Sequence, residues 1–146
     1  MIKNDFFKVL LLLTILFFSI SLVSAEGNFT TLQTEITNAQ DNGKLVLNQS
    51  YKYDQTTDGY YREGITINKT NFVLDGGNYT IDGDGKARIF HITGNNVTIK
   101  NLNLINGKAT EHGGAIYTTG QSINIHNSTF INNTATNSSN SYGGAI

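Results

Sequence analysis

Three aspartates, Asp75, Asp82 and Asp84, fall within ten positions of one another, with Arg62, Lys86, Arg88 and His91 close by in the chain. Paired carboxylates are what glycoside hydrolysis needs, one to protonate the leaving oxygen and one to activate water or attack the sugar. Asp82-Gly83-Asp84-Gly85 also offers oxygen ligands for calcium. Asp-Gly is equally the ordinary chemistry of a tight turn, and that is the reading adopted for residues 82–85. The acidic residues do not build a stripe, because the positions equivalent to Asp75 in later units are Lys100 and His126. His112, beside a glycine pair, and His126 are isolated histidines, more often turn or surface residues than bases. No nucleophile motif, zinc spacing or phosphate loop occurs in the sequence. No catalytic residue, metal ligand or cofactor-binding residue is therefore assigned.

Binding asks less of a sequence than catalysis. Tyr51, Tyr53, Tyr60, Tyr61, Tyr117 and Tyr142 offer rings that stack on sugars, each an apolar face with a polar tip. Tyr51 and Tyr53 alternate like strand residues, so one of them is expected to pack inward. Tyr60 and Tyr61 sit on a polar loop, Asp54 to Gly64, and are the candidate ligand contacts.

The elements that must hold such residues follow an export signal. Met1, Ile2, Lys3 and Lys8 precede an apolar run from Val9 to Phe18, and small residues stand at Val23-x-Ala25. This reads as a secretory signal peptide, residues 1–25, cleaved before Glu26. Uncleaved, the same segment is a membrane anchor at the lower edge of spanning length. Either way the rest of the chain is expected to be extracellular or at the cell surface, and any membrane contact runs through this segment. Residues 26–146 carry eight Lys or Arg against ten Asp or Glu, so nucleic acid is not an expected partner. Cysteine is absent, which leaves packing and repetition to supply stability. Sequons begin at Asn28, Asn48, Asn68, Asn78, Asn96, Asn127, Asn132 and Asn137. In an exported chain each is a candidate glycan acceptor, although a chain rich in Asn and Thr also produces them by chance.

Phe29, Leu32, Ile36 and Ala39 fall at helical spacing, with Thr30 or Thr31 as N-cap and Asn42-Gly43 as stop. The segment 26–43 is read as a cap of one short helix. After it the chain repeats. Ile65, Phe72, Leu74 and Tyr79 match Phe90, Val97, Ile99 and Leu104 after 25 residues. A step of 26 then takes these to Ile116, Ile123, Ile125 and Phe130, and takes Asn101 to Asn127 and Ala109 to Ala135. Units this short exclude propeller blades and helical hairpin repeats. The remaining solution is an all-β parallel β-helix over residues 44–146, each unit one coil. Equivalent apolar residues then form inward columns about 4.8 Å apart per coil. Glycines are expected at the corners, and Asn101 and Asn127 are expected to stack as a ladder, with Gly76 in the equivalent place one coil earlier. The helix is expected to shield the first strand edges.

Gly-Gly-Ala-Ile occurs at Gly113–Ile116 and again at Gly143–Ile146, and Phe130-Ile-Asn-Asn133 lies between the copies. Together these resemble the polymorphic outer membrane protein repeat. The stretch from Gly64 to Phe90, with Leu74-Asp-Gly-Gly-Asn-Tyr-Thr-Ile-Asp-Gly-Asp-Gly, resembles the opening coils of adhesin-like surface proteins of methanogenic archaea. The resemblance covers roughly residues 29–146. It implies a right-handed parallel β-helix at the cell surface that adheres to glycans or to host or neighbouring cells. Ile116 and Ile146 are expected as the first inward residues of their strands, the second opening a coil that would continue in a longer protein. β-helices also host polysaccharide lyases and hydrolases, so a degenerate or truncated enzyme of that kind is the alternative, with a structural envelope protein as a third. The lyase and polygalacturonase signatures Asn-Thr-Asp, Gly-His-Gly and Arg-Ile-Lys are missing.

Overall fold

The computed structural model describes residues 26–136 and 143–146. The signal segment, Asn137 and Tyr142 lie outside the described residues. Among the described residues α1 (Phe29–Asn38) comes first and thirteen short strands follow. These are β1 (Lys44–Val46), β2 (Tyr51–Lys52), β3 (Ile65–Ile67), β4 (Val73–Asp75), β5 (Thr80–Asp82), β6 (Phe90–Ile92), β7 (Thr98–Lys100), β8 (Asn103–Ile105), β9 (Lys108–Ala109), β10 (Ile116–Thr118), β11 (Asn124–His126), β12 (Thr129–Ile131) and β13 (Thr134–Ala135). Every strand pair is parallel, in the orders β1-β4-β7-β11, β3-β6-β10, β2-β5-β8-β12 and β9-β13. That is a parallel β-solenoid of about four turns. Among the described residues no helix is long and apolar enough to cross a membrane.

The register puts Ile65, Phe90 and Ile116 in one column and Leu45, Leu74, Ile99 and Ile125 in another. Backbone bonds from Thr98 to Phe72 and from Asn124 to Val97 place Phe72, Val97 and Ile123 in successive coils. Ala109 faces Ala135. One expected column is wrong at its first member. Leu104 and Phe130 align with Ile81 and Tyr51, not with Tyr79. Ile81 is fully buried while Tyr79 is 38% exposed. The corner before β5 is two residues longer than the corner before β8, so the local step is 104 − 81 = 23, which a constant period of 25 misses. Tyr51 and Tyr53 both bury, where only one was expected to; Phe29 meets Tyr53 edge-on at 5.4 Å.

Asparagine, more than glycine, turns the corners. Among the described residues eight Asn, with Asp84 and Ser122, adopt positive φ, including Asn71 and Asn96 at one corner and Asn101 and Asn127 at the next. Asn tolerates the left-handed region because its short amide bonds locally. Stacking adds a second gain. Asn127 Nδ2 donates to Asn101 Oδ1 at 2.6 Å, and Asn101 Nδ2 donates to Asp75 Oδ1 at 2.8 Å, so the ladder extends past the Gly76 position through its neighbour. A second ladder runs Asn96 to Asn71 to Asn42, both steps 2.7 Å. The sequon residues Asn96 and Asn127 thus spend an amide N–H within the fold, and Asn28 spends one on Thr57.

The helix caps the first coil through Phe29, Leu32 and Ile36, all fully buried. Its N-cap is Asn28, not Thr30 or Thr31. Asn28 Oδ1 accepts from Thr31 N at 2.9 Å while Thr31 Oγ1 accepts from Asn28 N at 3.0 Å, a reciprocal capping box. The helix closes at Ala39, before Asn42-Gly43. Gln33 covers the free edge of β3, accepting from Thr66 N at 2.7 Å and donating to Thr66 O at 3.1 Å. A side-chain amide there replaces the missing strand.

Candidate functional site

The carboxylates that opened the chemical question are occupied with structure. Asp75 lies between Lys44 at 2.9 Å and Lys100 at 3.3 Å. The Asn101 amide, then Lys44, hold its carboxyl well below the usual carboxylate range. Asp84 bridges Lys52 and Lys86 and is held low by them, Lys86 first. Asp82 Oδ1 accepts from Asp84 N at 2.8 Å and from Asn106 Nδ2 at 3.0 Å. Asp84 and Gly85 take φ of 54° and 64°, so residues 82–85 form the turn expected of them. Among the described residues no group of three or more His, Cys, Asp or Glu is arranged to hold a metal ion.

Arg88 and His91, grouped in sequence with those aspartates, belong elsewhere. Each coil crosses one corner between the end of its third face and the start of the β3-β6-β10 sheet. The segments meeting there are 54–64, 83–89 and 110–115. Arg88 is 7% exposed and ties all three coils together. Its Nη1 donates to Glu63 O at 2.9 Å and meets Glu63 Oε2 at 3.3 Å, Nε donates to Gly113 O at 3.1 Å, and Nη2 donates to His112 O at 3.2 Å. The planar fork of a guanidinium suits this divergent set; an ammonium does not match it.

The guanidinium also sits 5.3 Å from the centroid of the Tyr117 ring, a cation–π contact. His91 and Tyr117 are register partners on β6 and β10, and their rings lie 5.3 Å apart at 35°. His112 reaches the same ring from the corner at 6.3 Å and 26°. Three flat side chains therefore converge on one half-exposed patch. Glu63 and Glu111 stand on its rim, and together with Arg88 these residues line a cleft of about 250 Å³. Burial, then the Arg88 cation, keep His91 below its ordinary value against the opposing pull of Glu63. At neutral pH the patch accordingly presents a neutral imidazole beside a phenol.

Such a patch supplies ring faces for the apolar C–H face of a sugar, and rim carboxylates that accept hydrogen bonds from hydroxyls. Tyr60 and Tyr61, the contacts expected from sequence, stand apart from it. Tyr60 is 93% exposed on a 3-10 turn, Gly59–Tyr61, and meets Tyr61 edge-on at 5.5 Å. Tyr61 is half-buried against the core, and neither ring lines the cleft. The sequence carried a signal for the His91–Tyr117 pair: 117 − 91 = 26 is the coil step, so two outward aromatic side chains one step apart are placed to stack.

No protein-family model, curated protein or solved structure matches this chain.

Proposed function

We propose that this chain is an exported, adhesin-like surface protein that binds glycans through the corner cleft around Tyr117. The observation that carries the reading is the convergence of His91, Tyr117 and His112 as one ring surface rimmed by Glu63 and Glu111. A solenoid suits the role because stacked coils hold side chains from distant sequence positions in fixed register along a rigid face. The signal-like residues 1–25 and the resemblance to surface repeat proteins support the location.

Glycan-array binding by the purified chain tests it. Tyr117→Ala should remove most binding while the far-ultraviolet circular dichroism is unchanged. The paired change Tyr60→Ala with Tyr61→Ala should leave binding intact; the reverse pattern would move the site to the 3-10 turn. Absence of binding to any glycan would favour a structural envelope role. Two carboxylates and two imidazoles in one cleft also favour a carbohydrate-active enzyme as a second reading. Release of reducing ends from a bound glycan, lost in Glu63→Gln or Glu111→Gln, would establish it.

A further inference from the structure

Beside the Tyr117 cleft lies a second one, of about 170 Å³, and the two share Glu63 as a common wall. Arg62, Lys86 and Lys108 line it, with Tyr53 and Thr110 among the other lining residues. Its charge is three cations against the single carboxylate of Glu63, or 3 − 1 = +2, within a chain whose net charge is −1. That carboxylate is itself drawn toward Arg88. Lys86 is paired with Asp84, whereas among the described residues Arg62 and Lys108 form no ion pair. Both are exposed at the mouth. The three come from different coils (the 54–64 loop, the 82–85 turn region and β9), so their convergence is a product of the corner and not of a basic run in the sequence.

We propose that the ligand of this corner is an acidic glycan, with the sugar ring on Tyr117 and an adjacent carboxylate or sulfate ester between Arg62, Lys86 and Lys108. The inference rests on the glycan-binding reading and adds the ligand class to it. Uronates and sulfate esters share the chemistry that recognises them, an oxyanion accepting from guanidinium and ammonium donors. Glycan binding of this type weakens with salt, since exposed charges are screened within about 8 Å at physiological ionic strength.

Titration calorimetry with polygalacturonate, dextran sulfate (sulfate esters without uronates) and a neutral glucan of matched length tests the inference, with single-stranded DNA as a further polyanion. At least tenfold tighter binding of one acidic glycan than of the glucan is expected, and the preferred one of the two identifies the anion. Arg62→Ala combined with Lys108→Ala should reduce it to the glucan's level, as should raising the salt. Equal binding of acidic and neutral glycans, or an acidic preference untouched in the double variant, overturns the inference and leaves glycan binding standing. DNA bound as tightly as the acidic glycan also overturns it, in favour of non-selective polyanion capture. A chain that binds none of the glycans removes the underlying reading as well.

Discussion

Asn101 Nδ2 donates to Asp75 Oδ1 at 2.8 Å across one coil of the solenoid. The same carboxylate faces Lys44 and Lys100, so a single outward aspartate is shared by two lysines from the coils on either side. Its carboxyl is held low in the folded chain, and a depressed acid stabilises the fold above its unfolded value of 3.8. That contribution is lost as pH falls below 3.8 toward the folded value. His91 is depressed too, so its contribution is complete above 6.5 and declines as pH drops below that point. Thermal melts against pH should show both windows, with Asp75→Asn flattening the lower one and His91→Gln the upper.

Arg88 is the tie between three coils. Arg88→Ala leaves the carbonyls of Glu63, His112 and Gly113 short of a buried donor, and should lower stability by about 3 kcal/mol in urea denaturation. Arg88→Lys keeps the charge but not the fork, and should recover only part of that loss.

The two Gly-Gly-Ala-Ile copies stack directly. Gly113, Gly114 and Ala115 donate backbone N–H groups to Gly143, Gly144 and Ala145 at 3.0, 2.8 and 2.9 Å. A Cβ on Gly114 would run into the carbonyl oxygens of Gly144 and Thr134. Gly114→Ala should therefore cost about 2 kcal/mol or more, by overpacking against backbone that cannot yield. Gly59→Ala, where a Cβ meets nothing within 4 Å, should stay within about 0.5 kcal/mol of the parent.

Asp58 is fully buried and holds the cap onto the solenoid. It accepts from Phe29 N at 3.0 Å, Thr30 N at 2.9 Å and Asp54 N at 2.9 Å, joining the start of α1 to the 54–64 loop. A carboxylate there also meets the positive end of the helix. Asp58→Ala should lower stability by about 2 kcal/mol and raise amide exchange in α1 before the coils, as followed by hydrogen–deuterium exchange.

Much of this architecture was legible in the chain. Outward and inward residues alternate with period two, and equivalent positions recur every 25 or 26 residues, so Phe90 and Ile116 or Ile99 and Ile125 could be paired by counting. Counting failed where a corner changed length. Tyr79 kept the period but Ile81 took the core, because burial in a strand is set by register with the coil beside it and not by sequence distance. The N-cap was misplaced by two or three residues for a related reason. Several polar residues near Phe29 are competent to cap, and the docking of Phe29 and Leu32 onto the coil, with Asp58 opposite, decides that Asn28 does.

By itself the sequence determined the period, the parallel stacking and the composition of the columns, since these depend only on side-chain spacing and on the need of each coil to bury a face against its neighbour. The corner was decided by tertiary structure alone. Glu63, Arg88, His112 and Tyr117 are separated by 25, 24 and 5 positions; the first two separations are close to the coil step, but the step alone does not say that these side chains share one cleft. They meet because closing each coil returns the chain to the same corner, where the Arg88 fork finds carbonyls from the coils on both sides.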